Sequence, residues 1–289
     1  MKSDKSRTQH LKMLLRSKSF VAGICMFVPM LLLGFLGPLF ISPDRIKILA
    51  YPKELPPSLE NPLGTDIIGR DILAQLILSL RLSLLLGIFA GGIGIAIGTV
   101  IGFIAGYKGG LIDDALRNIT DIFLVIPTWC FVVVISAYIA RLTVPMLALL
   151  LASLSWPGTA RRIRSQVMSL RERPFIDLAR ISGERDTEII FKEILPNLLP
   201  YLGMCFAGAM TGAMMAEVGL GIIGLGPEES CTLGIMIHWA NYYGAIVKGM
   251  WWWLLPPIIC IIFVFLGLNL INIGLDEIYN PRLRKVTGL

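Results

Sequence analysis

Apolar residues run in long, uninterrupted stretches along this chain, and the polar residues collect between them. Six stretches are long and apolar enough to be read as helices: residues 20–41, 82–106, 122–140, 143–160, 198–216 and 251–275. Each approaches the roughly 20 apolar residues that cover a hydrocarbon core of about 30 Å. None of the six contains Asp, Glu, Lys, Arg or His. The first is too long for a cleaved leader, is not followed by a small-x-small site, and precedes five more.

Within these stretches, small residues recur at helical spacing. Gly94, Gly98, Gly102 and Gly106 form a stripe in the second, with Gly87 and Gly91 on a shifted phase. Gly208, Gly212 and Ala216 repeat the idea in the fifth. Such stripes let membrane helices approach closely, so helix packing is the expected role. Trp251, Trp252 and Trp253 open the last stretch as expected interfacial anchors. Pro256 and Pro257 are expected to bend or restart its helix.

Composition agrees with the pattern. Over 289 residues, 55% are hydrophobic, 16% are charged and the mean hydropathy is +0.73. Soluble domains carry about 25% charge, so a soluble enzyme and a disordered chain are excluded. The formal charge is +6. With both termini inside, the inside segments hold 19 of the 26 Lys and Arg. That asymmetry sets orientation and accounts for the basic balance without a nucleic-acid partner. Five cysteines without C-x-x-C spacing, and two distant histidines, His10 and His238, suggest neither a disulfide framework nor a metal site.

The polar segment 161–197 is the most informative. It reads as helix to Ile181, a stop at Ser182-Gly183, and a second helix capped by Asp186 that ends at Pro196-Asn197. A rigid helix–turn–helix can transmit a rigid-body movement where a loose loop cannot. The alternative is a solvated charged loop.

No Gly-x-x-x-x-Gly-Lys-Ser/Thr occurs; the nearest run, Gly106-Tyr107-Lys108-Gly109-Gly110, lacks that spacing and its hydroxyl. Neither His-Glu-x-x-His nor Gly-x-Ser-x-Gly is present. An ion-driven carrier would be expected to place ionisable groups inside the spans, and these are absent from all six. A scaffold without transport is the remaining class.

Asp177-Leu178-Ala179, Gly183 and Leu195-Pro196-Asn197 resemble the EAA signature of ABC importer membrane subunits, with Asp177 and Leu178 departing from its first two positions. Glu193 stands where relatives often carry His or an aliphatic residue. Asn61-Pro62-Leu63-Gly64-Thr65-Asp66, Gly69-Arg70-Asp71 and Arg81-Leu82-Ser83-Leu84 look like the outer motif of the dipeptide/oligopeptide/nickel-type permeases. Glu217 with Gly224-Leu225-Gly226-Pro227, and Gly249 through Trp253 with Pro256-Pro257, look like two further motifs of their C-type subunit. Together these cover most of residues 20–280.

The resemblance implies an all-α membrane protein with the type I ABC importer permease fold, six transmembrane helices and both termini cytoplasmic, in a prokaryotic inner membrane. It divides the chain into a cytoplasmic segment 1–19, the first span and outer segment 20–81, a five-helix core 82–275 and a tail 276–289. It implies a second homologous permease, two cytoplasmic ATPases that hold ATP and Mg2+, and an extracytoplasmic solute-binding protein. One ATPase would contact Asp177, Ala179, Gly183, Glu193, Leu195, Pro196 and Asn197. Gly64, Thr65, Asp66, Arg70, Asp71, Glu217, Gly224 and Gly226 become candidates for binding-protein contact or gating. The first five serve equally well as local caps, and Arg70 and Asp71 could pair. Peptides lead the substrate classes, followed by oligosaccharides; Trp239, Tyr242 and Tyr243 suit sugar stacking and Asn241 hydroxyl contacts, a composition that suits an interface or a membrane rim equally well. Nickel comes last, for want of a His or Cys cluster.

Overall fold

The structure, a computed structural model, describes residues 14, 16–139, 141–227 and 230–279. Most of segment 1–19, with His10, and residues 280–289 of the tail lie outside the described residues. The regular elements among them are helices, with no strand and one isolated bridge between Thr65 and Asp71.

Helix α1 (Lys18–Leu36) starts at Ser17, whose hydroxyl accepts the amide of Phe20, and runs on as a 3-10 turn to Phe40. Helix α2 (Ile72–Lys108) is 37 residues long, about 55 Å at 1.5 Å per residue. It therefore exceeds the 82–106 expected and projects beyond a bilayer core. Helices α3 (Gly110–Val125) and α4 (Thr128–Tyr138) meet at a 71° bend. Residues 122–140 are thus not one straight span. Pro127, which lacks an amide hydrogen, sits at the break.

Helix α5 (Val144–Arg171) continues past residue 160 into a polar half, and α6 (Pro174–Ile181) follows. A short turn, α7 (Asp186–Glu188), leads through a π-helical turn (Ile189–Ile194) into α8 (Leu195–Ile222). Helices α9 (Leu233–Tyr242) and α10 (Trp251–Tyr279) complete the chain. Four stretches (18–40, 72–108, 186–222 and 251–278) are long and apolar enough to cross a membrane, and the bent α3–α4 pair makes five if it counts as one span.

The four-residue stripe packs as expected. A Cβ on Gly98 would stand 2.7 Å from the Cβ of Thr159, and one on Gly102 would stand 2.8 Å from the Ala160 carbonyl oxygen. Gly94 and Gly106 likewise lie against Ser155 and Val167, all on α5. Gly87 and Gly91 meet Met214 and Met210 of α8 instead. The shift in phase thus turns α2 from one neighbour to another. On α8 the stripe is different: Gly212 has open space around it.

Ser17 and Ser19 donate to the two oxygens of Glu277 at 2.8 and 3.0 Å. The start of α1 and the end of α10 therefore lie at the same end of the bundle. α10 does not restart at Pro256 and Pro257, which lie inside one continuous helix although each lacks the amide hydrogen for its own helix bond. Of the three tryptophans expected as interfacial anchors, Trp251 is exposed but Trp253 is buried in the core, because successive helix residues are about 100° apart.

Candidate functional site

Segment 161–197 folds into a braced two-helix unit. Pro174 opens α6, where its missing N–H would have no partner anyway. Ile176 and Ala179 bury against Ile163, Val167, Ile189 and Ile194. The helix ends in a Schellman turn: Gly183 N donates to Arg180 O and Glu184 N to Ala179 O, at 3.0 and 3.2 Å. Gly183 has φ 82° and nothing within 4 Å of a would-be Cβ, so conformation alone calls for glycine there.

The second half departs from expectation in two places. Arg185 occupies the cap position, its amide donating to Glu188 Oε2 at 3.0 Å. Asp186 instead accepts the Tyr107 hydroxyl at 2.6 Å, which ties this unit to the end of α2. Pro196 and Asn197 do not end the helix; they begin α8. A π turn just before Pro196 takes up the extra residue, with Leu195 N donating to Ile190 O. Asn197 Nδ2 donates to Glu193 O at 2.7 Å.

What this unit presents outward is apolar. Leu178 is 65% exposed, Ile181 84% and Phe191 66%. Asp177, Pro196 and Asn197 are also exposed, while Glu193 and Leu195 are partly buried. The scaffold is fixed from beneath by the ion pairs Arg164–Asp113 and Arg161–Asp121, and by Arg171 donating to Tyr107 O at 2.7 Å.

The outer motif is knit into the start of α2. Asp71 caps the helix, accepting Leu73 N at 2.8 Å and Ala74 N at 3.3 Å. Its other oxygen pairs with Arg45 Nε at 3.0 Å. Asp66 accepts the amides of Ile68 and Arg70, Arg70 Nε and Gln75 Nε2, all within 3.0 Å. Arg70 therefore pairs with Asp66 and not with Asp71, whose carboxylate is turned to its own helix. Thr65 Oγ1 donates to Pro52 O at 2.7 Å and accepts Leu55 N at 2.9 Å. Gly64 has φ 67°, and a Cβ there would lie 2.3 Å from Leu55 O. Thr65, Asp66 and Asp71 are wholly buried.

Glu217 is also wholly buried. Ser83 Oγ donates to its Oε2 at 2.9 Å and accepts Leu233 N at 3.1 Å. The Thr232 hydroxyl and the Gly234 amide face the same carboxyl. This knot joins α2, α8 and the start of α9. Gly224, with φ 80°, lies against the His238 ring, and Gly226 packs on Ile235. Beside the knot, burial pushes the Cys231 thiol pKa up, partly offset by the Ser79 hydroxyl. The outer motif and the Glu217 knot adjoin near the start of α2, where Asp66, Arg70 and Glu217 all act on the Cys231 thiol, while the 161–197 unit is tied to the other end of that helix through Tyr107.

Sequence reading missed a polar groove formed by Arg162 of α5, Tyr201 and Cys205 of α8, and Asn269, Asn272 and Asp276 of α10. The signal was present as two asparagines three apart in an otherwise apolar helix. A count of ionisable residues passes over them.

The chain matches the family model described as "Binding-protein-dependent transport system inner membrane component" over residues 98–285. It is 29% identical to the oligopeptide transport system permease protein OppC of Mycobacterium tuberculosis, covering 97% of this chain and 96% of that one. It is 28% identical to the dipeptide transport system permease protein DppC of Bacillus subtilis, covering 93% and 84%. Among solved structures, a chain of the MetNI methionine ABC transporter in an inward facing conformation superposes with a TM-score of 0.51 at 21% identity. That match covers 69% of this chain and 96% of the other, and it shows a shared fold.

Proposed function

The chain belongs to the family of binding-protein-dependent transport system inner membrane components, and from that premise we propose that it is one of two unlike permease subunits that carry peptides inward through a prokaryotic inner membrane. It is a multi-pass transport subunit of an ABC importer, and partner ATPases supply the hydrolysis. Two such ATPases, holding ATP and Mg2+, sit on the cytoplasmic side, and a solute-binding protein delivers cargo outside. The names and near-complete coverage of the OppC and DppC relatives support peptides as cargo. The aromatic side chains once suited to sugars stack on each other: Tyr243 lies nearly parallel to Trp239 and Trp253, at 21° and 16°.

Six crossings follow if the bent α3–α4 pair and α5 each count as one, with both termini cytoplasmic. The positive-inside asymmetry and the shared end of α1 and α10 support this. The segments 1–19, 20–81, 82–275 and 276–289 keep the roles their topology implies.

The observation that carries the reading is the 161–197 unit. Leu178, Ile181 and Phe191 are exposed on a support fixed by buried Ile176, Ile189 and Ile194 and by the Tyr107–Asp186 bond. A rigid unit with an apolar tip is suited to seat in an ATPase cleft and pass on its movement. Asp177, Ala179, Gly183, Glu193, Leu195, Pro196 and Asn197 shape that unit. The outer motif Gly64–Asp71 and the Glu217, Gly224 and Gly226 region hold the external surface where the binding protein docks. The test is purification from native membranes in gentle detergent with mass spectrometry of what co-purifies. A second permease, ATPase chains and a binding protein that thermal shift shows to take peptides are expected. A chain that emerges alone, under conditions that preserve a known importer, overturns the proposal.

A further inference from the structure

The bottom of α10 is not lipid-like. Asn269 and Asn272 interrupt a 29-residue apolar helix, and Asp276 follows one turn on. These three share a groove of about 320 Å³ with Arg162, Tyr201 and Cys205. Asp276 lies seven residues beyond Asn269, so the groove rises about 10 Å along the helix axis from the cytoplasmic end of α10.

Polar side chains at membrane depth face protein or water, because lipid offers them no partner. Among the described residues the chain does not fill that demand. Asn269 uses its amide nitrogen on the Phe265 carbonyl at 2.9 Å, which leaves its amide oxygen free to accept. Among the described residues Arg162 donates to the Thr159 hydroxyl, at 3.5 Å. Neither Arg162 nor Asp276 has an ion pair among the described residues. On the same face of α8 as Cys205 and Gly208, Gly212 presents bare backbone with open space where a side chain would be. Asn272 Nδ2 lies 3.6 Å from where a Cβ on Gly208 would stand, so the amide overhangs the same smooth face.

We infer that this groove is this chain's share of the substrate path and that it holds the peptide main chain, an inference that rests on the permease reading above. A peptide carries amides along its length, a carboxylate at one end and an ammonium at the other. Asn269 and Asn272 offer carbonyl and amide groups to the first. Arg162 complements the carboxylate and Asp276 the ammonium. Nothing in the groove demands a particular side chain: the contacts are to features every peptide shares. The bare face of α8 lets a main chain pass close without a steric block. The groove thus accepts many sequences and leaves selection among them to the delivering protein.

The test uses the complete transporter in proteoliposomes with its binding protein, measuring peptide uptake and ATP hydrolysis together. Asn272→Leu should cut uptake per ATP about ten-fold, the order expected from losing one good hydrogen bond, while stimulated hydrolysis persists. Arg162→Gln should erase the preference for a free over an amidated C-terminus. Asp276→Asn should do the same for a free over an acetylated N-terminus. Wild-type uptake per ATP and unchanged end preferences in all three overturn the inference. So does failure of the complex to assemble with both Asn272→Leu and the conservative Asn272→Gln, which would make the groove a subunit contact. A wild-type complex that hydrolyses ATP yet accumulates no peptide refutes the underlying permease reading instead, and the ligand assigned here with it.

Discussion

At the residue scale, burial decides what each polar group does. Glu217 sits with no exposed surface between three helices, held by Ser83 and facing Thr232. Replacing it with Leu leaves the Ser83 hydroxyl without its acceptor, and an unsatisfied buried group costs about 1–3 kcal/mol. Glu217→Gln keeps an acceptor oxygen and should lose less. Thermal unfolding of the purified complex orders the two, and equal midpoints would show that the knot contributes nothing. Gly183 is the opposite case, an exposed residue whose only demand is its φ of 82°. A β-branched residue there is disfavoured by about 1–2 kcal/mol, whereas Asn tolerates that region. Gly183→Val should therefore uncouple transport from ATP hydrolysis while Gly183→Asn stays near normal, with membrane insertion unchanged in both. Normal transport-stimulated ATPase activity in Gly183→Val would refute this account of the turn.

Elements add what single residues do not. The α2–α5 contact runs through four glycines, and a methyl on Gly98 would press on Thr159 and on the Trp156 carbonyl. Overpacking of this kind costs about 1–3 kcal/mol. Gly98→Ala should therefore lower the stability of the membrane domain, while Gly212→Ala, with open space around it, should not disturb this chain's own packing. Matching melting points for the two variants would mean that α2 and α5 do not pack as described. The α6 helix divides its faces, with Ile176 and Ala179 inward and Leu178 and Ile181 outward. Burying one Leu in a partner contributes about 1.5–3 kcal/mol. Leu178→Asp should then weaken ATPase association by at least about ten-fold, read as ATPase retained on the purified permease. Full retention would place the docking surface elsewhere.

For the whole molecule, the legible part of the sequence was whatever is local. A long helix announces itself by an unbroken apolar run, a turn by a glycine beyond a helix, and the 161–197 unit by helix–Gly–helix in a polar gap. These depend on neighbours within a few residues, so the long apolar helices and the Gly183 turn could be read directly, while the break at Pro127 and the extensions of α2 and α5 could not. Chain order did not reveal which partner each group would choose. Arg70 went to Asp66 and left Asp71 to Arg45, because Asp71 was already turned to cap α2. Pro196 began a helix it was expected to end, because a π turn absorbed its ring. Trp253 entered the core beside residues far away in sequence. The groove of Arg162, Asn272 and Asp276 draws on three helices and exists only where they meet. Period and composition act over a few residues and settle which helices form; packing and buried pairing act across hundreds and settle which side chains come together.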